Sequence, residues 1–226
     1  EEQKPPCCKP PEPQVTIVLG CRHGHVTPVR SGCNHTGGGN IDIAQPTADT
    51  VVVTMTGVCV AGKCPFGNSI ATMHFDLDQC FEVVFESGVK RAKLTMEGRV
   101  IGVLRSHHKG GGSAEEGPAH AAVTCGKAEL VAVDLPEHSV AGGENLSIND
   151  HVGPYTVPVG PGKHTLVATI DIGASHPCSL KFCKAASAEF APDPALDPLW
   201  ISYWEPFHGA IKKDFGFQIT LRVAPE

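Results

Sequence analysis

The chain has 226 residues, 41% hydrophobic, 19% charged and 6% aromatic, with a formal net charge of −6. Its 25 glycines and 19 prolines make about a fifth of the residues, below the roughly 25–30% of low-complexity chains, so a folded body of one large or two small domains is expected. The negative charge argues against a nucleic-acid partner, and no run approaches the roughly 18 apolar residues of a membrane-spanning helix, so no membrane span is expected.

Residues 1–13 (EEQKPPCCKPPEP) carry five prolines, a composition suited to an extended polyproline segment. The start at Glu1-Glu2-Gln3, with neither Met nor an apolar leader, reads as a mature N-terminus left by signal-peptide removal. Period-two alternation then dominates. Val15, Ile17 and Leu19 share one face, Phe81, Val83 and Phe85 another, and Leu166, Ala168, Ile170 and Ile172 a third. The C-terminal run places Phe215, Phe217, Ile219, Leu221 and Val223 inside, with Gly216, Gln218, Thr220 and Arg222 outside. Such alternation marks half-buried strands of antiparallel sheets. Further strands are predicted at 51–58, 70–76, 92–105 (interrupted near Gly98), 121–125 and 129–135, separated by turn-forming Gly, Pro, Asn and Asp. One segment differs. Asp197-Pro198 is a helix start, and Trp200, Tyr203, Trp204 and Phe207 follow at helical spacing, which predicts one short helix near 198–205.

The fold class is therefore all-β: one or two immunoglobulin-like antiparallel β-sandwich modules stapled by disulfides. The run His107-His108-Lys109-Gly110-Gly111-Gly112-Ser113 is the best boundary, because three consecutive glycines favour a flexible link. It divides the chain into an extension (1–13), a first module (14–106), a linker or loop (107–113) and a second module (114–226). The rival reading makes 107–113 a long loop within one domain.

Ten cysteines, at positions 7, 8, 21, 33, 59, 64, 80, 125, 178 and 183, point to an oxidising compartment and hence to a secreted or cell-surface protein. Cys59–Cys64 and Cys178–Cys183 share a CxxxxC spacing that suits small loop closures, Cys21–Cys33 closes a short loop, and Cys80–Cys125 would cross the boundary. Cys7 and Cys8 are adjacent, which disfavours a bond between them. Asn34-His35-Thr36 and Asn145-Leu146-Ser147 are sequons that permit glycosylation in a suitable host.

The stretch Val159-Gly160-Pro161-Gly162-Lys163-His164-Thr165-Leu166 resembles a passage common in bacterial secreted immunoglobulin-like modules, where a glycine turn leads into a His-Thr-Leu strand. That resemblance covers about a dozen residues. It implies a sandwich and a non-catalytic role, and it carries over no functional residue.

The best chemical candidate is Cys21-Arg22-His23-Gly24-His25 followed by Cys33-Asn34-His35. Residues 21, 23 and 25 of a strand share a face, as do 33 and 35 on a partner strand. Cys21, His23, His25, Cys33 and His35 could thus hold zinc or copper, against the plainer reading of a Cys21–Cys33 disulfide with solvated histidines nearby. His107 and His108 read as a solvated pair, and His74 shows no ligand spacing. Asp76-Leu77-Asp78 and the acids between Asp193 and Asp197 read as solvated loop acids rather than a calcium site. Trp200 and Trp204 could stack on sugar rings, although plugging one end of the core is the favoured role for so few tryptophans. No GxSxG, HExxH or CxxCH pattern occurs, and no enzyme activity is expected.

The sequence therefore favours a secreted, non-catalytic structural protein that needs no cofactor. It would assemble with copies of itself into a filament, sheath or surface layer through its N-terminal extension and sheet edges. Val15, Ile17 and Leu19 are the expected assembly strand, completing the sheet of a neighbour. The alternatives are a metal-binding protein and a carbohydrate-binding module with glycan or cell-surface contacts.

Overall fold

A computed structural model describes residues 14–32, 35–61, 68–106, 112–176, 186–190 and 216–226. Among the described residues thirteen strands run in chain order: β1 (Val15–Ser31), β2 (His35–Thr47), β3 (Thr50–Ala61), β4 (Ser69–Phe85), β5 (Ala92–Ser106), β6 (Ser113–Glu116), β7 (Ala119–Cys125), β8 (Ala128–Leu135), β9 (His138–Ala141), β10 (Asn145–Val159), β11 (Gly162–His176), β12 (Ala186–Phe190) and β13 (Gly216–Pro225). They form two sheets whose pairings are all antiparallel. The expected helix near 198–205 lies outside the described residues.

In the first sheet β1 pairs with β4 and β4 with β11. The far side of β11 is shared by β6 and β7, which pair in turn with β9 and β8. The hairpin β6–β7/β8–β9 keeps one register across its interruption: Glu116 faces His138 on one side of the break and Ala119 faces Leu135 on the other. That register sets Pro118 opposite Pro136. Neither proline has an N–H to give, so the ladder breaks there and resumes.

The second sheet runs β10, β5, a central slot, β3 and β2. Two segments fill the slot in a single line. β12 lies against 57–61 of β3, and β13 continues along 50–55. Both also pair with β5. This middle line is thus made of two separate strands, one ending at Phe190 and the other beginning at Gly216.

Strands from both sides of 107–113 share each sheet and one core, because β11 sits beside β4 and β13 sits between β3 and β5. The two-module division does not hold, and 107–113 joins strands of one two-layer body. The glycine run suggested an independent link because local composition carries no information about which distant strands pair.

Alternation sets the inner faces as read. Met73, Phe75, Leu77, Phe81 and Val83 of β4 meet Val53, Met55, Phe217, Ile219 and Leu221 of the other sheet in a common core. Ala92–Ser106 is one continuous strand rather than two. A Cβ at Gly98 would lie 2.9 Å from Val133 Cγ2, so this glycine admits the facing sheet instead of ending the strand. The Gly-rich stretch after residue 34 reads as turn but forms β2. Its Gly39 is the register partner of Gly57 in β3. A Cβ on Gly57 would lie 2.5 Å from Phe75 Cζ, and one on Gly39 would overlap the ends of Met73 and Phe75. The two glycines form a notch that receives the Phe75 ring.

Candidate functional site

The first strand has two halves. In the lower half Val15 and Ile17 are buried, and Val15, Ile17 and Leu19 stand opposite Phe85, Val83 and Phe81 of β4. Ile17 N–H also donates to the Ala48 carbonyl (2.7 Å), and the Gln45 amide donates to the Ile17 carbonyl (2.6 Å). The expected assembly strand is therefore seated in its own sheet. Its alternating apolar face suits a neighbour's groove and its own core equally well, and here it fills its own.

A bulge between Leu19 and Arg22 separates the halves. Extra backbone there turns Cys21 onto Cys80, and the two form a disulfide with Cα atoms 5.1 Å apart. Buried Gln79 donates to the Cys80 carbonyl at 2.6 Å and to the Cys21 carbonyl at 3.2 Å, satisfying acceptors that the bulge takes out of the ladder. Cys21–Cys33 and Cys80–Cys125 are thus replaced by Cys21–Cys80. Cys59 and Cys125 are free thiols, which also removes Cys59–Cys64. Burial pushes the Cys59 thiol well above its ordinary range. Cys7, Cys8, Cys33, Cys64, Cys178 and Cys183 lie outside the described residues. Spacing along the chain could not find the true pair, since its partners are 59 residues apart and meet through strand register.

Beyond the bulge, residues 22–31 pair with β4 on one side, and among the described residues no strand pairs with the other. Nearly all of them are exposed, including Val29. From this half Arg22 and Arg30 reach inward and donate to the Ile41 and Gly37 carbonyls of β2, joining the two sheets along this flank.

The outer face of the first sheet concentrates imidazoles and carboxylates. His23 stands opposite Asp78 and His25 opposite Asp76. His74 Nδ1 lies 2.8 Å from Asp171 Oδ1, and His120 Nδ1 lies 2.7 Å from Asp134 Oδ1. Register places His25, Asp76, Thr169, His120 and Asp134 in one row across five strands. Asp76 and Asp78 are accordingly strand residues flanking the buried Leu77, not loop acids.

A second polar cluster closes the opposite flank. His138 Nε2 of β9 and Asp150 Oδ2 of β10 are 2.6 Å apart, a link between the sheets. Glu116, opposite His138 on β6, is 1% exposed, and neither carboxyl oxygen has a hydrogen-bond partner among the described residues. Burial, then the Asp150 carboxylate, push its pKa up to about 8, so the group is a neutral acid at pH 7. Nearby, a cleft of about 570 Å³ is lined by Glu115, Gly117, Glu137, Ser139 and Asp171.

Among the described residues the proposed metal ligands do not come together. Cys21 is oxidised, Cys33 lies outside the described residues, and His35 belongs to the second sheet whereas His23 and His25 belong to the first. Among the described residues no three His, Cys, Asp or Glu side chains come together as a metal cage. Trp200 and Trp204 also lie outside the described residues. Sequence reading passed over His74 and His120 because their carboxylate partners are 97 and 14 residues away. Alternation does place all four residues on one outward face once the strands are ordered.

No protein-family model matches the chain, and no curated protein matches it either.

Proposed function

We propose that this chain is a secreted, non-catalytic structural protein that associates with copies of itself along a sheet edge. The observation that carries the reading is the upper half of β1, where residues 22–31 form an extended, exposed strand with β4 on one side and no described strand on the other. Unpaired N–H and C=O groups in such a row are a template for another strand, which adds main-chain hydrogen bonds and seats alternate side chains. The Cys21–Cys80 bond supports an oxidising, extracellular setting. The passage that resembles secreted immunoglobulin-like modules does lead into a strand, β11, which supports the same setting. A head-to-tail contact made this way yields open polymers when its rotation does not close. The seated Val15–Leu19 half moves the contact from the expected assembly strand to the segment after the bulge.

Light scattering of the full chain tests the reading. Concentration-dependent growth in mass is expected, together with its loss in Val29→Lys/Ser31→Lys, which charges the edge without touching the core. A chain that stays monomeric at high concentration, or a variant that still polymerises, overturns it.

A further inference from the structure

The break in the β6–β7/β8–β9 hairpin opens a cleft. Pro118 and Pro136 interrupt the ladder there, and Gly117 comes close to β11, its N–H donating to the Asp171 carbonyl at 2.8 Å. A Cβ on Gly173 would lie 2.9 Å from Glu115 Oε1, so the bare backbone of β11 leaves the space that this carboxylate fills. Glu115, Glu116, Glu137 and Asp171 line a space of about 570 Å³, and among the described residues no lysine or arginine does. Its size is that of a small-molecule site.

Three of these carboxyl groups, on Glu115, Glu137 and Asp171, belong to exposed residues that water can satisfy. Glu116 is the exception. It is 1% exposed, and both of its carboxyl oxygens lack a hydrogen-bond partner among the described residues. His138, its register partner on β9, is turned to Asp150 instead. A buried polar group left unpaired costs free energy, which the donors of a ligand can recover. Burial and the Asp150 carboxylate both favour the protonated acid, and a cation placed on it opposes both causes.

Two unpaired acceptor oxygens side by side match a planar fork of N–H donors, and the flanking carboxylates call for positive charge. A guanidinium combines the two, whereas an ammonium is a point charge without the fork. We infer that this cleft binds a guanidinium group, which donates to both oxygens of Glu116 while Glu115 and Glu137 supply the surrounding negative charge. Rotation about the Glu116 side-chain bonds presents its carboxyl, shielded from water in the wall, to the open side of the cleft. β6 and β9 lie at the end of the sheet away from β1, so the site does not depend on the edge association proposed above.

The test titrates the full-length chain, disulfides intact, in a calorimeter at pH 8.5, above the Glu116 pKa of about 8. Agmatine should bind saturably at one site per chain. Putrescine, which carries the same charge without a guanidinium, should bind at least about tenfold more weakly, and Glu116→Gln should weaken agmatine binding by about tenfold or more. Glu115→Gln/Glu137→Gln should weaken it by a smaller factor. The Glu116→Gln chain should melt no lower than the parent at this pH, which separates loss of the site from loss of the fold. A capped Gly-Arg-Gly peptide locates the source of the group: tighter binding than agmatine assigns it to an arginine side chain of a partner, and weaker binding to a free small molecule. No binding of either guanidinium ligand, equal affinity for putrescine, or agmatine binding unchanged by Glu116→Gln would each overturn the inference.

Discussion

Where β1 runs past β2, the sheets are joined by the guanidinium groups of Arg22 and Arg30 on main-chain carbonyls, with a disulfide at the bulge. Where β9 meets β10, they are joined by an imidazole and a carboxylate above a buried carboxyl. Guanidinium stays charged throughout the range in which proteins fold, whereas the second flank buries one carboxyl, Glu116, whose pKa is raised to about 8. The first flank is a fixed seam and the second answers to pH. Both hold the edges of the same core, so their difference can be measured as stability.

Removing the fixed seam's covalent part should have the largest effect. The Cys21–Cys80 bond spans 59 residues, and loop-closure entropy of that size corresponds to about 4 kcal/mol. Cys21→Ser/Cys80→Ser should lose about 2–4 kcal/mol in urea unfolding, by the same amount at pH 6 and pH 8.

The titrating flank should show itself as a slope. Glu116 has its pKa raised from 4.5 to about 8 in the folded chain, so the folded state holds the proton more tightly than the unfolded. Its contribution is complete below pH 4.5, declines as pH rises from there, and is lost once pH passes about 8. The decline is no steeper than about 1.4 kcal/mol per pH unit for one proton. Glu116→Gln removes the charge and keeps the shape. Its unfolding free energy should be flatter than the parent's between pH 5 and 8 and should exceed it at pH 8. A variant with an unchanged slope would assign the titration elsewhere.

The smallest effect sharpens the contrast. Arg30→Met keeps the apolar stem and removes the donor to the Gly37 carbonyl. It should cost about 1 kcal/mol, with no dependence on pH between 5 and 9.

Much of the body was legible in the residues. The inner faces of β4, β11 and β13 follow from alternation, because one buried sheet face imposes a period of two. The run of β1 past residue 25 and the length of β2 past residue 35 were not legible, although residues 21–25 and 33–35 were read as strand. Gly37, Gly38, Gly39 and Pro28 are turn formers by local preference, and only a tertiary fact, the Phe75 ring between Gly39 and Gly57, explains glycine in a strand there. The division at 107–113 failed for the same reason: three glycines report stiffness, and partnership is decided by strands far off in sequence. The candidate site was half visible. His23 and His25 stood out by spacing, but their neighbours Asp78 and Asp76 read as loop acids, and the Cys21 sulfur went to Cys80. His74 and His120 acquire meaning only after register aligns them with Asp171 and Asp134.

The line formed by β12 and β13 has a bearing on biogenesis. Residues 50–55 of β3 and 92–101 of β5 have no strand between them until residues 216–225 arrive, and ribosomes deliver residues in order. Until then the second sheet has only β12 between β3 and β5, so this part of its hydrogen bonding closes after the strands on either side have been made. Its last strand acts as the keystone.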